Sequence, residues 1–281
     1  MNDKKQILII GGGAAGFFCA LNIAILEAAR RVSTRHRTTQ PNALPGITIL
    51  ERTSDVLRKV RISGGGRCNV THACEDNAML VKNYPRGEKE LRAAFSRFSV
   101  KDTVRWFGQR GVHLKTEEDG RMFPVSNTSE TIINCLLDQA RKLNVNIRLN
   151  TDVLQISKSA NDLFTISLLG GETLTCNALV IATGGRPKES GYQWLTETGL
   201  GIEKPVPSLF TFNIKDPKLR SLMGLSVPQA RVKIADTKLI STGPLLITHW
   251  GLSGPSVLKL SAHYGDIIHL LTPAQPVVDG F

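Results

Sequence analysis

The sequence predicts an α/β protein: a Rossmann-type dinucleotide-binding domain built on a parallel sheet, followed by a second, β-rich, barrel-like domain. Three observations predict it. The run Ile7-Leu8-Ile9-Ile10 feeds directly into Gly11-Gly12-Gly13-Ala14-Ala15-Gly16, a buried strand entering a G-x-G-x-x-G turn. A second apolar run, Ala178 to Ile181, ends in Ala182-Thr183-Gly184-Gly185, as an interior parallel strand does at its ligand-binding end. Beyond Pro187 the texture changes to short β-type segments punctuated by Pro205, Pro207, Pro217, Pro228 and Pro244. The expected boundaries are 1–189 for the first domain, with a helical and hairpin insertion at about 84–125, and 190–281 for the second.

Each element follows from local pattern. Gly11 allows the tight turn after the strand, Gly13 lets backbone approach a pyrophosphate, and Gly16 lets the next helix pack closely. That helix, Phe17 to Ala24, presents its N–H groups from Ala14 and Ala15 onward to the phosphates. Ser33 to Gly46 is polar, with Pro41 and Pro45, and reads as a surface insertion; Arg30, Arg31, Arg35, His36 and Arg37 beside it read as a solvated loop. A second strand, Ile47 to Leu50, is closed by Glu51. This acid lies 35 residues beyond Gly16, where ~20 is usual, and the insertion accounts for the excess. Its carboxylate can accept both ribose hydroxyls and repels a 2′-phosphate, which favours FAD or NAD over NADP.

Glu88 to Arg110 has a helical pattern, with Leu91, Phe95, Phe98, Val104, Trp106 and Phe107 as core. Lys115 to Phe123 reads as a hairpin turning at Asp119-Gly120. Ser129 to Leu143 is an amphipathic helix burying Ile132, Ile133, Leu136, Leu137 and Ala140, with Cys135 packed beside them. Strands are expected at 147–149 and 153–157, then a hairpin of 164–168 and 172–176 turning at Gly170-Gly171. In the second domain they are expected at 208–214, 230–235, 245–248 and 267–271.

Composition narrows the class. Of 281 residues, 41% are hydrophobic and 21% charged, which excludes a disordered or fibrous chain. No apolar run approaches the ~20 residues that span a bilayer, so a soluble, cytoplasmic protein without membrane contact is expected. The five cysteines are odd in number and form no C-x-x-C pair, so reduced thiols and no metal site are expected. A net charge of +11 favours anionic partners. Because that charge is spread along the chain, a small-molecule substrate is expected ahead of nucleic acid. The rival is an RNA-binding flavoprotein, motivated by the same charge and by the cluster at Arg30 to Arg37.

The stretch Lys59 to Thr71, KVRISGGGRCNVT, is more specific than the glycine fingerprint. Gly64, Gly65 and Gly66 expose backbone amides, Arg67 offers a fixed five-donor cation, and Asn69 both donates and accepts. Together with Gly11 to Gly16, Glu51, the ATGG at 182–185, GRMFPVSN at 120–127 and THWGLSGPSVLKLS at 248–261, it resembles the aminoacetone-oxidase-like (BaiN-type) family of FAD-dependent oxidoreductases. The resemblance runs from residue 5 to about residue 271 and implies an extended FAD across the first domain. It implies that Gly11, Gly13 and Gly16 hold the pyrophosphate and Glu51 the adenosine ribose. Gly65, Gly66, Arg67, Cys68 and Asn69 would approach the flavin, Val153 would meet the adenine through its backbone, and Thr183 and Gly184 would line the cofactor. Family members continue through a C-terminal glycine-rich segment that closes the flavin site, so the chain reads as C-terminally truncated, its second domain incomplete, and a non-catalytic remnant is a further alternative.

Cys68 and Cys74 are separated by five residues, one more than a flavin-facing redox dithiol uses, so Cys68 reads as a packed residue or polar contact. His249 is the candidate catalytic residue, able to polarise a substrate or move a proton as imidazoles do near neutral pH. His72 is the weaker one, and Ser253 with Pro255 reads as a helix start. The expected reaction is flavin-mediated hydride transfer on a small substrate, by amine oxidation or by reduction of an activated double bond. There is no second G-x-G-x-x-G, so NAD(P)H is expected only as a transient electron donor.

Overall fold

The computed structural model describes residues 5–34, 45–159, 161–186, 188–196, 198–203 and 205–271. In chain order these form β1 (Gln6–Ile10), α1 (Ala14–Thr34), β2 (Gly46–Leu50), α2 (Arg58–Gly66), β3 (Thr71–His72), α3 (Asn77–Leu80) and α4 (Glu88–Arg97). Then follow α5 (Val100–Gly108), β4 (Leu114–Thr116), β5 (Arg121–Pro124), α6 (Ser129–Lys142), β6 (Asn146–Arg148), β7 (Val153–Lys158), β8 (Phe164–Leu168), β9 (Thr173–Cys176) and β10 (Ala178–Ile181). The remainder is α7 (Gln193–Thr196), β11 (Phe212–Asn213), α8 (Pro217–Ser221), β12 (Ser226–Lys233), β13 (Ile240–Ile247), β14 (Gly251–Ser253) and α9 (Pro255–Leu271). Backbone contacts divide the chain into two compact units, residues 1–75 with 97–203, and residues 76–96 with 204–281.

The first unit is the α/β Rossmann domain. Its parallel sheet has the order β10-β1-β2-β6. β1 is central and its Ile9 is wholly buried; α1 covers the sheet with Phe17, Ala20, Leu21 and Ala24 in the same core. Burying each large side chain of that stripe contributes ~1.5–3 kcal/mol. Ile132, Ile133, Leu136 and Ala140 of α6 complete this core, and Cys135 packs with them. Leu8, Ile10 and Leu50 point to the other face, against Ile156, Ile166 and Leu168 of the antiparallel sheet β7-β8-β9. The hairpins at 114–124 and 164–176 form as the alternation requires.

Four expectations are corrected. β10 is an edge strand, not an interior one: Ala178 and Ile181 are exposed, Ile181 by 38%. The helical pattern at 88–110 is broken at Ser99, whose hydroxyl caps α5 while the Asp102 carboxylate accepts from the Ser99 amide, a reciprocal box that starts a new helix. Arg30 and Arg31 belong to α1 rather than to a loop, while Arg35, His36 and Arg37 lie outside the described residues. Ile267 to Leu271 is the end of α9, not a strand.

The second unit carries the antiparallel sheet β11-β14-β13-β12. β12 alternates, with Val227, Ala230 and Val232 half-buried and Arg231 and Lys233 exposed. α9 lies against its inner face, where Leu260 and Phe210 form a small core with Val232 and Tyr264. Among the described residues no helix is long and apolar enough to cross a membrane.

Candidate dinucleotide site

The three fingerprint glycines are glycine for three different reasons. Gly11 has φ +117° and a Cβ there would lie 2.4 Å from the Ala182 carbonyl oxygen, so the chain crosses itself where β1 and β10 end. A Cβ on Gly16 would lie 1.9 Å from the Gly11 oxygen, which is the close helix–strand contact. Gly13 differs: a Cβ there would meet nothing within 4 Å. It opens α1, whose first turn carries no acid, and Ala14 and Ala15 are exposed. The first N–H groups of a helix lack internal partners, so this end is polarised to receive an anion.

Gly12 is clamped between neighbours. Its N–H donates to Glu51 Oε2 at 2.8 Å, and its oxygen accepts from Leu57 N at 2.8 Å. Glu51 Oε1 accepts from Thr53 N (2.9 Å) and Thr53 Oγ1 (2.8 Å). The carboxylate thus braces the loop and retains a free lone pair on Oε2. The Glu51 oxygen accepts from Thr151 N at 2.8 Å, which brings the segment leading to Val153 beside it. Thr183 lies against Gly11, its nitrogen 3.0 Å from the position of the missing Cβ, and Gly184 is exposed with φ +69°. The structure therefore gathers Gly11, Gly13, Ala14, Ala15, Gly16, Glu51, Thr183 and Gly184 around one loop.

α2 joins this loop to the second one. It starts at Leu57 and breaks at Ser63, after which Gly64, Gly65 and Gly66 are all left-handed (φ +56°, +68° and +82°). A Cβ on Gly64 would overlap Phe123 Cε1 at 2.8 Å; Gly65 and Gly66 face open space. Arg67 stacks on Phe123, 4.1 Å from the ring centroid, and its Nη1 donates to Glu117 Oε1 at 2.5 Å. With its amide oriented to satisfy the surrounding carbonyls, Asn69 donates to Thr71 O (2.9 Å) and Met122 O (3.2 Å). Cys68 is buried in the core, and burial pushes its thiol above the usual range against a smaller opposing hydrogen bond from Ser63. The Cys68 side chain is therefore packed inward, away from the loop surface, in the apolar setting of a structural rather than a reactive thiol.

Glu117 and Phe123 are the residues that sequence reasoning missed. The GRMFPVSN stretch at 120–127 was the available signal, since it supplies the ring on which Arg67 lies. His72 is packed on the 119–120 turn, Nε2 3.0 Å from the Asp119 oxygen. All five cysteines are free thiols. His249 is exposed at the turn between β13 and β14, its ring 4.5 Å from that of Trp250. That turn is tied by Thr248 N to Gly251 O (2.8 Å) and Gly251 N to Thr248 O (3.1 Å).

A parallel sheet, a glycine turn crossing its end, an open helix start and an acid closing the next strand define a Rossmann dinucleotide-binding fold. Residues 5–254 match the HI0933-like protein Rossmann domain, and the chain belongs to that family. It is similar to the ribosomal RNA dihydrouridine synthase of Escherichia coli (strain K12), 31% identical over 271 residues, covering 93% of this chain and 62% of that protein. It also resembles the ribosomal RNA dihydrouridine synthase of Haemophilus influenzae (27%, covering 94% and 63%). A third relative is the 3-dehydro-bile acid delta(4,6)-reductase of Clostridium scindens (25%, covering 92% and 60%). The chain thus spans about three fifths of the length of these relatives. Membership holds at the level of the HI0933-like family and does not extend to the narrower aminoacetone-oxidase-like grouping. The expectation against a nucleic-acid partner gains no support, because two of these relatives are named for ribosomal RNA.

Proposed function

We propose that the chain binds FAD across the Gly11–Gly16 loop and reduces a carbon–carbon double bond conjugated to a carbonyl, with a uridine of RNA as substrate. The observation that carries the cofactor assignment is Gly13: open space over the start of a 21-residue helix whose first turn has no acid. A pyrophosphate fits that position, and the N–H groups of Ala14 and Ala15 are the donors it needs. Glu51 takes the ribose, the backbone near Val153 the adenine, and Thr183 and Gly184 the edge of the cofactor. Gly65, Gly66, Arg67 and Asn69 orient the isoalloxazine, and the backbone of Cys68 joins them.

Bound FAD supplies two-electron chemistry, and the protein supplies orientation and the proton. Dihydrouridine formation and reduction of a delta(4,6) system in a 3-dehydro compound make one common demand. Hydride adds to an electrophilic carbon conjugated with a carbonyl and a proton to another carbon of the same conjugated system, so a double bond is saturated without loss of any group. A side chain of the protein is the proposed acid for that proton. A nicotinamide is the proposed electron donor, visiting transiently. The net charge of +11 supports a polyanionic substrate, and amine oxidation has no comparable support.

The test is anaerobic incubation of the FAD-loaded chain with NAD(P)H and a ribosomal RNA fragment, followed by nucleoside mass spectrometry. The expected result is a gain of two hydrogens on uridine. A chain that holds FAD and oxidises NAD(P)H, yet reduces neither uridine in RNA nor a simple conjugated enone, would overturn the reaction assignment.

A further inference from the structure

The outer face of the β12–β13 sheet and the turn that ends it are exposed elements of the second unit. Between residues 205 and 250 there are six cationic side chains, Lys215, Lys218, Arg220, Arg231, Lys233 and Lys238, against two acids, Asp216 and Asp236. Arg231 and Lys233 stand on the exposed face of β12. Arg231 is paired across the ladder with the exposed Thr242, while α9 and its core occupy the opposite face. The same sheet then runs to Leu246, which is 38% exposed, and to the turn carrying His249 and Trp250.

Trp250 is 39% exposed, with its ring beside that of His249, so it offers an accessible aromatic surface with a polar edge. The turn beneath it is fixed. Thr248 Oγ1 accepts from Trp250 N (3.3 Å) and Gly251 N (3.2 Å). Arg220 reaches up from α8 to Ile214 O (2.9 Å), Asn213 Oδ1 (3.0 Å) and Trp250 O (3.4 Å). A rigid aromatic tip at the end of a cationic sheet face has the composition of a single-stranded nucleic-acid platform: cations follow the backbone and the ring stacks a base.

We infer that this face of the second unit docks single-stranded RNA, with an unpaired base stacked on Trp250 beside His249. This rests on the RNA reading above and adds to it the element that grips the substrate. Stacking on a ring is tolerant of base identity. The tip therefore selects for an unpaired base, not for a sequence.

The test is fluorescence anisotropy of a labelled, uridine-containing single-stranded RNA titrated with the full chain, across a range of salt. Trp250→Ala is expected to weaken binding about tenfold or more, and Trp250→Phe to restore it. RNA is expected to quench tryptophan emission in the wild type, and Trp250→Phe to remove most of the quench, because Trp106 is buried and Trp194 is half-buried with its indole N–H donated to the Gly191 oxygen. Arg231→Gln with Lys233→Gln is expected to flatten the salt dependence, by about one slope unit per lost phosphate contact. Binding by the wild type that Trp250→Ala leaves unchanged, or tighter binding of duplex than of single strand, would overturn the inference and leave the RNA substrate standing. No binding of any RNA at low salt would overturn both. A Trp250→Ala chain that fails to fold does not rescue the idea, since Trp250→Phe and the quench are read independently.

Discussion

The two glycine loops at either end of α2 use the same residue for opposite purposes. In the first, Gly11 and Gly16 are required by the protein itself: a Cβ at either would strike backbone oxygen at 2.4 or 1.9 Å. In the second, a Cβ on Gly65 or Gly66 would meet nothing within 4 Å, and the backbone is left-handed there, the conformation that favours glycine. Gly13 belongs to neither kind. It has open space without a left-handed backbone, which is what the proposed close approach of a pyrophosphate requires. The lesson is that one glycine motif can combine fold and function, and the space around each Cβ separates them.

Substitution can break that comparison. Gly16→Ala has the largest expected effect, above ~4 kcal/mol, at the far end of single-site costs. Because typical domains are stable by only ~5–15 kcal/mol, a mostly unfolded or insoluble chain is expected, read by circular dichroism and denaturant titration. A well-folded Gly16→Ala chain would mean that the helix and strand are not in the contact described.

In the second loop, Gly65→Ala is expected to cost about 1–2 kcal/mol, the strain of one left-handed residue, while Gly64→Ala costs more, since its Cβ would also meet Phe123 at 2.8 Å. Equal losses for the two would remove Phe123 from the explanation. The smallest effect is at Cys68. Its folded thiol holds a proton that the unfolded thiol releases once pH passes its ordinary value, ~8.5, because burial raises the folded pKa. Stability therefore falls as pH rises through that window, by the linkage between bound protons and folding. Denaturant titrations of wild type and Cys68→Ala at about pH 7.5 and 9.5 should show a shallower loss in the variant, and identical slopes would contradict it.

How much was legible follows the same division. The strand, turn and helix at 7–24 were readable because composition and spacing are local, and so were the hairpins at 114–124 and 164–176. The edge position of β10 was not: an apolar run reports burial by whatever neighbours the strand acquires, and composition does not count neighbours. Ala178 and Ile181 look interior and are exposed. The break at Ser99 was readable in principle, because Ser99 and Asp102 carry a capping signal, but Phe98 and Val104 sustained the helical period across it. In the site, Arg67 was legible as a cation, whereas its partners were not. Glu117 is distant in sequence, and only the folded hairpin brings it and Phe123 to Arg67. The end of α9 was missed because Ile267 and Ile268 favour strands locally, while the tertiary context continues a helix begun at Pro255.

The most direct test is FAD binding by Gly13→Ala. The added methyl meets no protein atom within 4 Å, so the melting temperature without FAD should stay close to that of the wild type. Titration of FAD, followed by quenching of flavin fluorescence, should show binding by the wild type and at least about a tenfold loss in the variant, the equivalent of 1.4 kcal/mol. Equal FAD affinity in the two chains, with both folded, would contradict the placement of the pyrophosphate over Gly13.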